Sequence, residues 1–363
     1  MQFKRASFSL AVTCLVCVLG FAVLAPPAEA QPFAYVTNSA SNSVSVIDTA
    51  TNTVNATIGV GDRPIGVAIS PDGTHAYVAN SNSDSVSVVA TSGNTVIATI
   101  EVGSFPQGLA VSPDGSHVYV ANTFSNSVSV IATAAGAVTA TVGVGIEPAG
   151  IAITPDGSRA YVTNAGSSSV SVIDTTTNAV VATVGVGVNA LGIAITPDGT
   201  RAYVANNVSS SVSVIDTATN TTVATIGMFQ PVVIAITPDG TRAYVTNSSA
   251  SFGSVSVIDT AINTVIATVE IGPNAQSVAI TPGGSRAYAA SFGSDSVWVI
   301  ATDTNTVITT VMVESAPVGV AITPGIGPPT NKGQCKNGGW QTFTVPRTFK
   351  NQGACVSFVT TGK

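Results

Sequence analysis

A tyrosine recurs at an almost constant interval along most of this chain, and that repeat constrains the fold more than any other feature. All seven tyrosines of the sequence lie in an Ala/Val-Tyr-Val-like context, with successive spacings of 42, 42, 42, 42, 41 and 44 residues. They are Tyr35, Tyr77, Tyr119, Tyr161, Tyr203, Tyr244 and Tyr288. A fixed period of this length indicates one supersecondary unit used repeatedly, with each unit burying its apolar surface against its neighbours.

Each unit contains four short segments with the pattern of β-strands. Ser43–Ile47 alternates serine with valine or isoleucine, which is the period-two pattern of a pleated strand. Pro71-Asp72-Gly73 places proline second and glycine fourth in a type I turn. The same turn recurs at Pro113, Pro155, Pro197 and Pro238, and weakens to glycine-glycine after Pro282. Seven four-stranded units without a helical pattern predict an all-β fold, a seven-bladed β-propeller, and exclude a helical solenoid.

The phase of the repeat predicts how the ring of blades closes. The first unit begins with the tyrosine strand Phe33–Asn38 and lacks the apolar strand that precedes it in other units. The last unit ends with that apolar strand, Val318–Thr323, and no tyrosine strand follows. We therefore expect the N- and C-terminal strands to share the first blade, which leaves no unpaired strand edge between them.

The composition agrees with blades that are covered on both faces. Only 8% of the residues are charged, against about 25% in typical soluble domains. Charged side chains between packed sheets would be buried without partners, at a cost of several kcal/mol each. The mean hydropathy is +0.45, but no run beyond residue 30 approaches the roughly 20 apolar residues of a membrane-spanning helix. We expect no transmembrane segment once the leader is removed.

Three regions are predicted along the chain. Residues 1–30 have a positive start, an apolar stretch and the small-residue cleavage site Ala28-Glu29-Ala30, as in a secretory signal peptide. An uncleaved anchor is the alternative. Cleavage would make Gln31 the first mature residue. The propeller is expected over 31–324, and a linker with a small basic tail over 325–363.

Three units contain the tetrapeptide Tyr-Val-Thr-Asn, beginning at Tyr35, Tyr161 and Tyr244. Together with Ser-Val-Ile-Asp-Thr and Thr-Pro-Asp-Gly, this tetrapeptide makes residues 32–324 resemble the YVTN-repeat β-propeller family. The resemblance implies an exported bacterial protein, located in the periplasm, at the cell surface or outside the cell. Members of the family serve varied roles, so the resemblance implies a fold more than an activity.

Residues that often carry catalysis occupy repeat positions here. His75 and His117 stand where later units have Arg159, Arg201 and Arg242, so we expect solvated strand starts rather than catalytic bases. Aspartates recur in the turns, where carboxylates commonly accept backbone N–H groups. The sequence contains no nucleophile elbow, phosphate loop or Cys/His spacing for a metal. We expect no catalytic residue, metal or cofactor, with Ca²⁺ on loop oxygens as the alternative.

Charge separates the body of the chain from its tail. Residues 31–324 contain 17 acidic and 5 basic residues, a net charge of −12, which disfavours nucleic acid as a partner. Residues 325–363 contain five basic and no acidic residues. A disulfide between Cys335 and Cys355 is expected to staple this tail, since so short a segment cannot bury a sufficient core. The tail would attach to an anionic envelope polymer or cap the propeller.

Two functions from different classes fit this pattern. The first is a non-enzymatic recognition scaffold that binds a glycan, peptide or protein at the channel mouth, because no unit carries an unusual set of reactive residues. The alternative is a propeller hydrolase or lactonase acting on a small sugar-derived substrate. In both cases the ligand is expected at connections that depart from the repeat. These connections contain Asp62, Arg63, Phe105, Gln107, Glu147, Asn189, Phe229, Gln230, Asn274, Gln276 and Glu314.

Overall fold

The structure is a computed structural model that describes residues 32–325. The predicted leader, its cleavage before Gln31, and the tail with Cys335 and Cys355 lie outside the described residues. Among the described residues, no helix is long and apolar enough to cross a membrane.

The described chain folds into seven antiparallel four-stranded sheets, and this confirms the predicted all-β, seven-bladed propeller. The first fourteen strands are β1 (Phe33–Asn38), β2 (Ser43–Asp48), β3 (Thr53–Gly59), β4 (Pro64–Ile69), β5 (His75–Asn80), β6 (Ser85–Ala90), β7 (Thr95–Glu101), β8 (Pro106–Val111), β9 (His117–Asn122), β10 (Ser127–Ala132), β11 (Ala137–Gly143), β12 (Pro148–Ile153), β13 (Arg159–Asn164) and β14 (Ser169–Asp174).

The remaining strands are β15 (Ala179–Gly185), β16 (Ala190–Ile195), β17 (Arg201–Asn206), β18 (Ser211–Asp216), β19 (Thr221–Gly227), β20 (Pro231–Ile236), β21 (Arg242–Ser248), β22 (Gly253–Asp259), β23 (Thr264–Ile271), β24 (Ala275–Ile280), β25 (Arg286–Ser291), β26 (Ser296–Ala301), β27 (Thr306–Met312) and β28 (Pro317–Ile322). Within residues 32–325, one 3-10 turn occurs, Phe292–Ser294, and it precedes β26. Blade 1 consists of β28, β1, β2 and β3, and blades 2 to 7 take four consecutive strands each.

The strand directions give the propeller two different faces. The connection from each outer strand to the next inner strand, and the loop between the second and third strands, lie together on what we call the mouth face. Backbone hydrogen bonds such as Ser81 N–H to the Arg63 carbonyl, 3.0 Å, join these two kinds of loop. The Pro-Asp-Gly turns and the turns into the outer strands lie on the opposite side, which we call the turn face.

Ring closure follows the predicted scheme, with the first blade built from both ends of the propeller. Strand β28 pairs antiparallel with β1, with Ala34 opposite Ile322 and Tyr35 opposite Ala321. The Thr323 N–H donates to the Phe33 carbonyl at 2.9 Å. The strand spans Pro317–Ile322, one residue earlier at each end than the sequence predicts.

The apolar core consists of seven clusters, each shared by two neighbouring blades. One cluster, for example, joins Tyr203 and Val214 of blade 5 to Val245 and Ile258 of blade 6. Because each blade is covered on both sides, burial of its valine and isoleucine side chains contributes about 1.5–3 kcal/mol per residue. The repeat therefore places its apolar residues at blade interfaces, while the loops of both faces stay available for other chemistry.

Tyrosine and asparagine form a second link between blades on the turn face. Six of the seven tyrosine hydroxyls donate to an asparagine Oδ1 in the last turn of the next blade, as Tyr161 does to Asn220 at 2.7 Å. The other pairs are Tyr35–Asn94, Tyr119–Asn178, Tyr203–Asn263, Tyr244–Asn305 and the ring-closing Tyr288–Asn52. Tyr77 has no such partner among the described residues, because Gly136 occupies the asparagine position.

Candidate functional site

The aspartates of the turn face are occupied with holding their own turns. In blade 4, Asp156 accepts the Thr154 hydroxyl at 2.6 Å and the Ser158 N–H at 3.0 Å. These hydrogen bonds, led by the one from Thr154, hold the pKa of Asp156 below its ordinary value. Asp198 and Asp239 show the same arrangement, so these carboxylates stabilise turns rather than act on a substrate.

The sequence predicts solvated side chains at the repeat position of His75 and His117. The arginines at the equivalent positions of later blades are less exposed than this prediction. Three of them reach across a blade interface and donate Nη1 to a backbone carbonyl of the next blade, so each is partly buried. The pairs are Arg159 with Thr217, Arg242 with Thr302, and Arg286 with Thr49. Arg201 instead pairs with Asp216 of its own blade. This position therefore links blades, a role that a single unit of sequence does not reveal.

A groove of about 390 Å³ lies on the turn face between blades 5 and 6, where Arg201 is turned aside. Its lining groups already have partners. Tyr203 donates to Asn263 at 2.7 Å, and Asp198 accepts from Thr196 and Thr200. Because the repeat itself uses these groups, the groove offers little free chemistry to a ligand, and the mouth face is the better candidate.

Seven equivalent residues, one from each blade, form a ring on the mouth face. Each one immediately precedes the inner strand of its blade and has a positive φ, between 35° and 60°. We call these residues the mouth ring: Arg63, Phe105, Glu147, Asn189, Gln230, Asn274 and Ala316. Six of the seven are among the ligand-binding residues predicted from the sequence.

The backbone of the mouth ring is held from two sides. Every ring carbonyl accepts an N–H from a residue at the end of the second strand of its own blade or directly after it, at 2.9–3.1 Å. Four ring N–H groups are also bound by a side chain of the preceding blade, as Phe105 is by the Asp84 carboxylate at 2.8 Å. The others are Arg63 on Asn42, Glu147 on Asn126, and Ala316 on Asp295. The backbone is thus fixed while the side chains can vary.

The variety of the mouth ring contrasts with the uniformity of the other repeat positions. A positive φ costs a non-glycine residue of order 1–3 kcal/mol in an unsupported chain, and glycine would avoid this cost. None of the seven blades uses glycine here, and Arg63, Phe105 and Glu147 stand in three consecutive blades. Strained backbone with chemically distinct side chains is typical of functional positions.

An arginine and two phenylalanines stack beside one another on blades 2 and 3. The Arg63 guanidinium carbon lies 5.3 Å from the ring centre of Phe105, and the Phe105 ring lies 4.4 Å from that of Phe124. In the part of the chain that the structure describes, the one ion pair is Arg201–Asp216, so no carboxylate neutralises Arg63. Stacking on an aromatic face leaves the guanidinium N–H groups available to a ligand.

A second aromatic pair lies on blade 6, where Phe229 stacks on Phe252 with ring centres 5.6 Å apart. Sequence reasoning identified Phe105 and Phe229 but missed their partners Phe124 and Phe252. A signal was present, because phenylalanine interrupts a loop that is otherwise made of small polar residues.

The remaining predicted residues lie near the ring without belonging to it. Asp62 and Phe229 directly precede ring residues, and Glu314 is exposed two residues before Ala316. Gln107 and Gln276 are the second residues of inner strands and are partly buried. The structure thus brings nine of the eleven predicted residues to the mouth loops and places two inside strands. Among residues 32–325, no three His, Cys, Asp or Glu side chains are grouped to hold a metal ion.

Residues 27–143 match the model of one protein family, described as lactonase, 7-bladed β-propeller. Within the described chain this stretch covers blades 1 to 3 up to the end of β11, apart from the closing strand β28, and includes Arg63, Phe105 and Phe124. No curated protein matches the chain.

Several solved structures share the propeller. Hydrazine synthase from Kuenenia stuttgartiensis is 25% identical, with a TM-score of 0.67 over 72% of this chain and 90% of that one. A functionally unknown protein from Desulfotomaculum acetoxidans is 20% identical, with a TM-score of 0.70 over 81% and 99%. A protein from Bacteroides uniformis, assigned as a 6-phosphogluconolactonase, is 18% identical, with a TM-score of 0.69 over 80% and 99%.

The expectation of a non-enzymatic recognition scaffold is wrong on this evidence. The lactonase family model favours the hydrolase alternative. The scaffold was expected because no single unit carries a set of reactive residues, whereas Arg63, Phe105 and Glu147 come to the mouth ring from three blades. The chain is a seven-bladed β-propeller that is similar, through its first three blades, to lactonases of that fold.

Proposed function

We propose that this protein is a lactonase, a hydrolase that opens cyclic esters, and that its active site is the mouth of blades 2 to 4. The observation that carries the proposal is the match of residues 27–143 to the lactonase family model. The position of the Arg63–Phe105–Phe124 cluster inside the matched stretch supports the choice of site.

Hydrolysis of a lactone adds water to the ester carbonyl and releases the ring oxygen as a hydroxyl group of a hydroxy acid. Negative charge develops on the carbonyl oxygen, and a hydrogen-bond donor aimed at that oxygen lowers the barrier. The Arg63 guanidinium at the mouth can donate a hydrogen bond to this carbonyl oxygen. Its guanidinium is held against Phe105, so less of its conformational freedom is lost on binding.

Attack by water also needs a base. The exposed carboxylates of Asp62 and Glu147 flank Arg63 and Phe105 along the ring of blades. One of them accepts the proton of the attacking water, and the same proton then passes to the leaving ring oxygen, so the reaction needs no further reactant. The backbone at both carboxylates is fixed, because the Asp62 N–H donates to the Ser83 hydroxyl at 2.7 Å and the Glu147 N–H donates to the Asn126 side chain at 2.9 Å.

The test is hydrolysis of a panel of γ- and δ-lactones, followed by titration of the released acid. Arg63→Gln is the sharpest variant, because blade 6 itself uses glutamine at this ring position, in Gln230. We expect Arg63→Gln to lower kcat/KM by about 10²–10³-fold, as does loss of one oxyanion donor in other hydrolases. Glu147→Gln and Asp62→Asn identify the base.

Arg201→Gln is the matched control, since it removes an arginine from the turn face. We expect its lactone hydrolysis to equal that of the unchanged protein. Absence of turnover on every lactone, or equal activity of the Arg63 and Arg201 variants, would contradict the proposal.

We also propose that the chain is an exported member of the YVTN-repeat type, with Cys335 and Cys355 joined in its tail. The recurring Tyr-Val-Thr-Asn and the leader pattern of residues 1–30 support this assignment. The tail's five basic residues fit attachment to an anionic envelope polymer. Intact mass of the purified protein should give a first residue of Gln31, and thiol counting under denaturing, non-reducing conditions should give no free thiol.

A further inference from the structure

Large apolar side chains in the described loops are concentrated on the mouth face. Seven of them, in blades 3 to 7, are exposed by two-fifths or more. We call this set the apolar crown: Phe124, Ile146, Val188, Val208, Phe229, Phe252 and Phe292. On the turn face, the described loops expose one comparable residue, Ile262. A contiguous exposed apolar patch on a monomeric protein commonly marks a ligand- or partner-binding surface.

The loops that carry the apolar crown are held in place. The Phe124 N–H donates to the Ser104 carbonyl at 3.2 Å, and the Ile146 carbonyl accepts from Gly166 at 3.0 Å. The stacking of Phe124 on Phe105, and of Phe252 on Phe229, fixes three of the crown's rings further. A surface whose backbone is already ordered loses little entropy when a ligand covers it.

The crown leaves a gap at blades 1 and 2, whose mouth loops contain no exposed large apolar residue among those described. Asp62, Arg63 and Asp84 occupy this gap in blade 2. Because Arg63 contacts Phe105, which stacks on the crown residue Phe124, the polar gap continues directly into the apolar crown. A ligand that fits both parts has one polar end and a long apolar remainder.

Charge at the mouth excludes one large class of lactones. The mouth loops and the adjoining ends of the outer strands contain seven carboxylates and one arginine, Arg63, which gives a net charge of −6 (1 − 7). The carboxylates belong to Asp62, Asp84, Glu101, Glu147, Glu270, Asp295 and Glu314. Such a field lowers the local concentration of anions, so a phosphorylated or carboxylated lactone would be repelled during approach.

We propose that the mouth binds a neutral lactone with an extended alkyl substituent, the ring lying at Arg63 and the alkyl chain along the apolar crown. The assignment of a lactone as substrate rests on the proposed function, whereas the binding of the ligand's alkyl chain rests on the crown itself. This alkyl-substituted lactone replaces the sugar-derived substrate expected from the sequence, because a sugar would present hydroxyl groups to the exposed phenylalanine, valine and isoleucine side chains of the crown.

Binding and turnover are measured separately, so that failure of one does not decide the other. Titration calorimetry on the full chain uses 2-alkylcyclopentanones with methyl to octyl chains, which resemble a lactone ring but contain no ester to hydrolyse. Each methylene that becomes buried should lower Kd by up to about fourfold. A Kd that does not change from methyl to octyl would overturn the proposal.

Substitutions in the crown show where the ligand's alkyl chain binds. Phe124→Ser should weaken octyl binding by tenfold or more and should weaken methyl binding far less, because Phe124 also stacks on Phe105. Ile262→Ser is the control on the turn face, since Ile262 is 64% exposed and Phe124 66% exposed. Equal losses in both variants, or binding to phosphatidylcholine vesicles that needs the crown while the ketones do not bind, would also overturn the proposal.

Hydrolysis then separates the two proposals. Faster turnover of δ-undecalactone than of glucono-δ-lactone, together with tighter binding of the longer ketones, supports both the lactonase proposal and the alkyl substrate. Preference for glucono-δ-lactone or its 6-phosphate leaves the lactonase proposal standing and overturns the alkyl substrate. Chain-length-dependent ketone binding without any lactone turnover leaves the crown as a binding site and contradicts both the lactonase proposal and the substrate class.

Discussion

Gly136 stands at the turn position that asparagine occupies in the six other blades, and this difference leaves the Tyr77 hydroxyl without its usual acceptor. Gly136 has a φ of 60°, close to the values of 49–55° at the equivalent asparagines. No atom lies within 4 Å of a Cβ added at this glycine. The backbone and the space are therefore ready for an asparagine side chain.

We predict that Gly136→Asn raises the free energy of unfolding by about 0.5–1.5 kcal/mol, the usual net value of one hydrogen bond. Asparagine tolerates the left-handed conformation better than most residues, so strain should not cancel the gain. Urea unfolding measures the effect. Gly136→Ala is the matched control, since it adds a Cβ without an acceptor and should be destabilising. An asparagine variant no more stable than the alanine variant would refute the link.

The tyrosines also predict how stability depends on alkaline pH. Burial raises the pKa of all seven, and that of Tyr35 reaches about 12 against an ordinary value of 10.0. The folded state therefore holds its phenolic protons to a higher pH than the unfolded state does. The protonated tyrosines therefore contribute fully to the free energy of unfolding below pH 10, and this contribution is lost as the pH rises from there towards about 12.

Urea midpoints measured at several pH values, with tyrosinate absorbance followed in parallel, test this dependence. We expect a constant midpoint up to about pH 10 and a steep fall above it. Tyrosine ionisation in the folded protein at an ordinary pKa would contradict the burial that the structure shows.

At the scale of elements, the strands, turns and closing strand could be predicted from the sequence, because each depends on local pattern. Alternation marks Ser43–Asp48 as a strand, and Pro71-Asp72-Gly73 marks the turn between β4 and β5. Links between blades could not be predicted. The Tyr161 hydroxyl and its Asn220 acceptor are 59 residues apart, and nothing within one unit shows that they meet. The positive φ at Arg63 was equally hidden, since arginine has no preference for it.

The arginine links give a prediction about single blade interfaces. Arg242 donates to the Thr302 carbonyl of blade 7, whereas Arg201 pairs with a partly exposed carboxylate of its own blade. Hydrogen bonds from charged groups contribute about 1.5–3 kcal/mol, and exposed ion pairs about 0–1 kcal/mol. We expect Arg242→Gln to lower the free energy of unfolding by at least 1 kcal/mol more than Arg201→Gln in chemical denaturation. The reverse order would contradict the role assigned to this position.

At the scale of the whole molecule, closure of the ring depends on one strand from the end of the propeller. Removing residues 317–363 deletes β28 and exposes the inner edge of β1, whereas ending the chain after residue 326 retains every described strand. We expect the shorter protein to lose cooperative thermal unfolding and the longer one to keep it. Similar melting curves for both proteins would show that β28 is not needed to close blade 1.

We assign ligand binding to the mouth face and a structural role to the turn face. Hydrogen–deuterium exchange of the full chain, with and without 2-octylcyclopentanone, tests this most directly because it reports every loop at once. We expect slower exchange on ligand addition in the mouth loops 102–107 and 122–126, with no change in the Pro-Asp-Gly turns. Protection confined to those turns, or to the groove beside Arg201, would place the site on the opposite face and contradict the account.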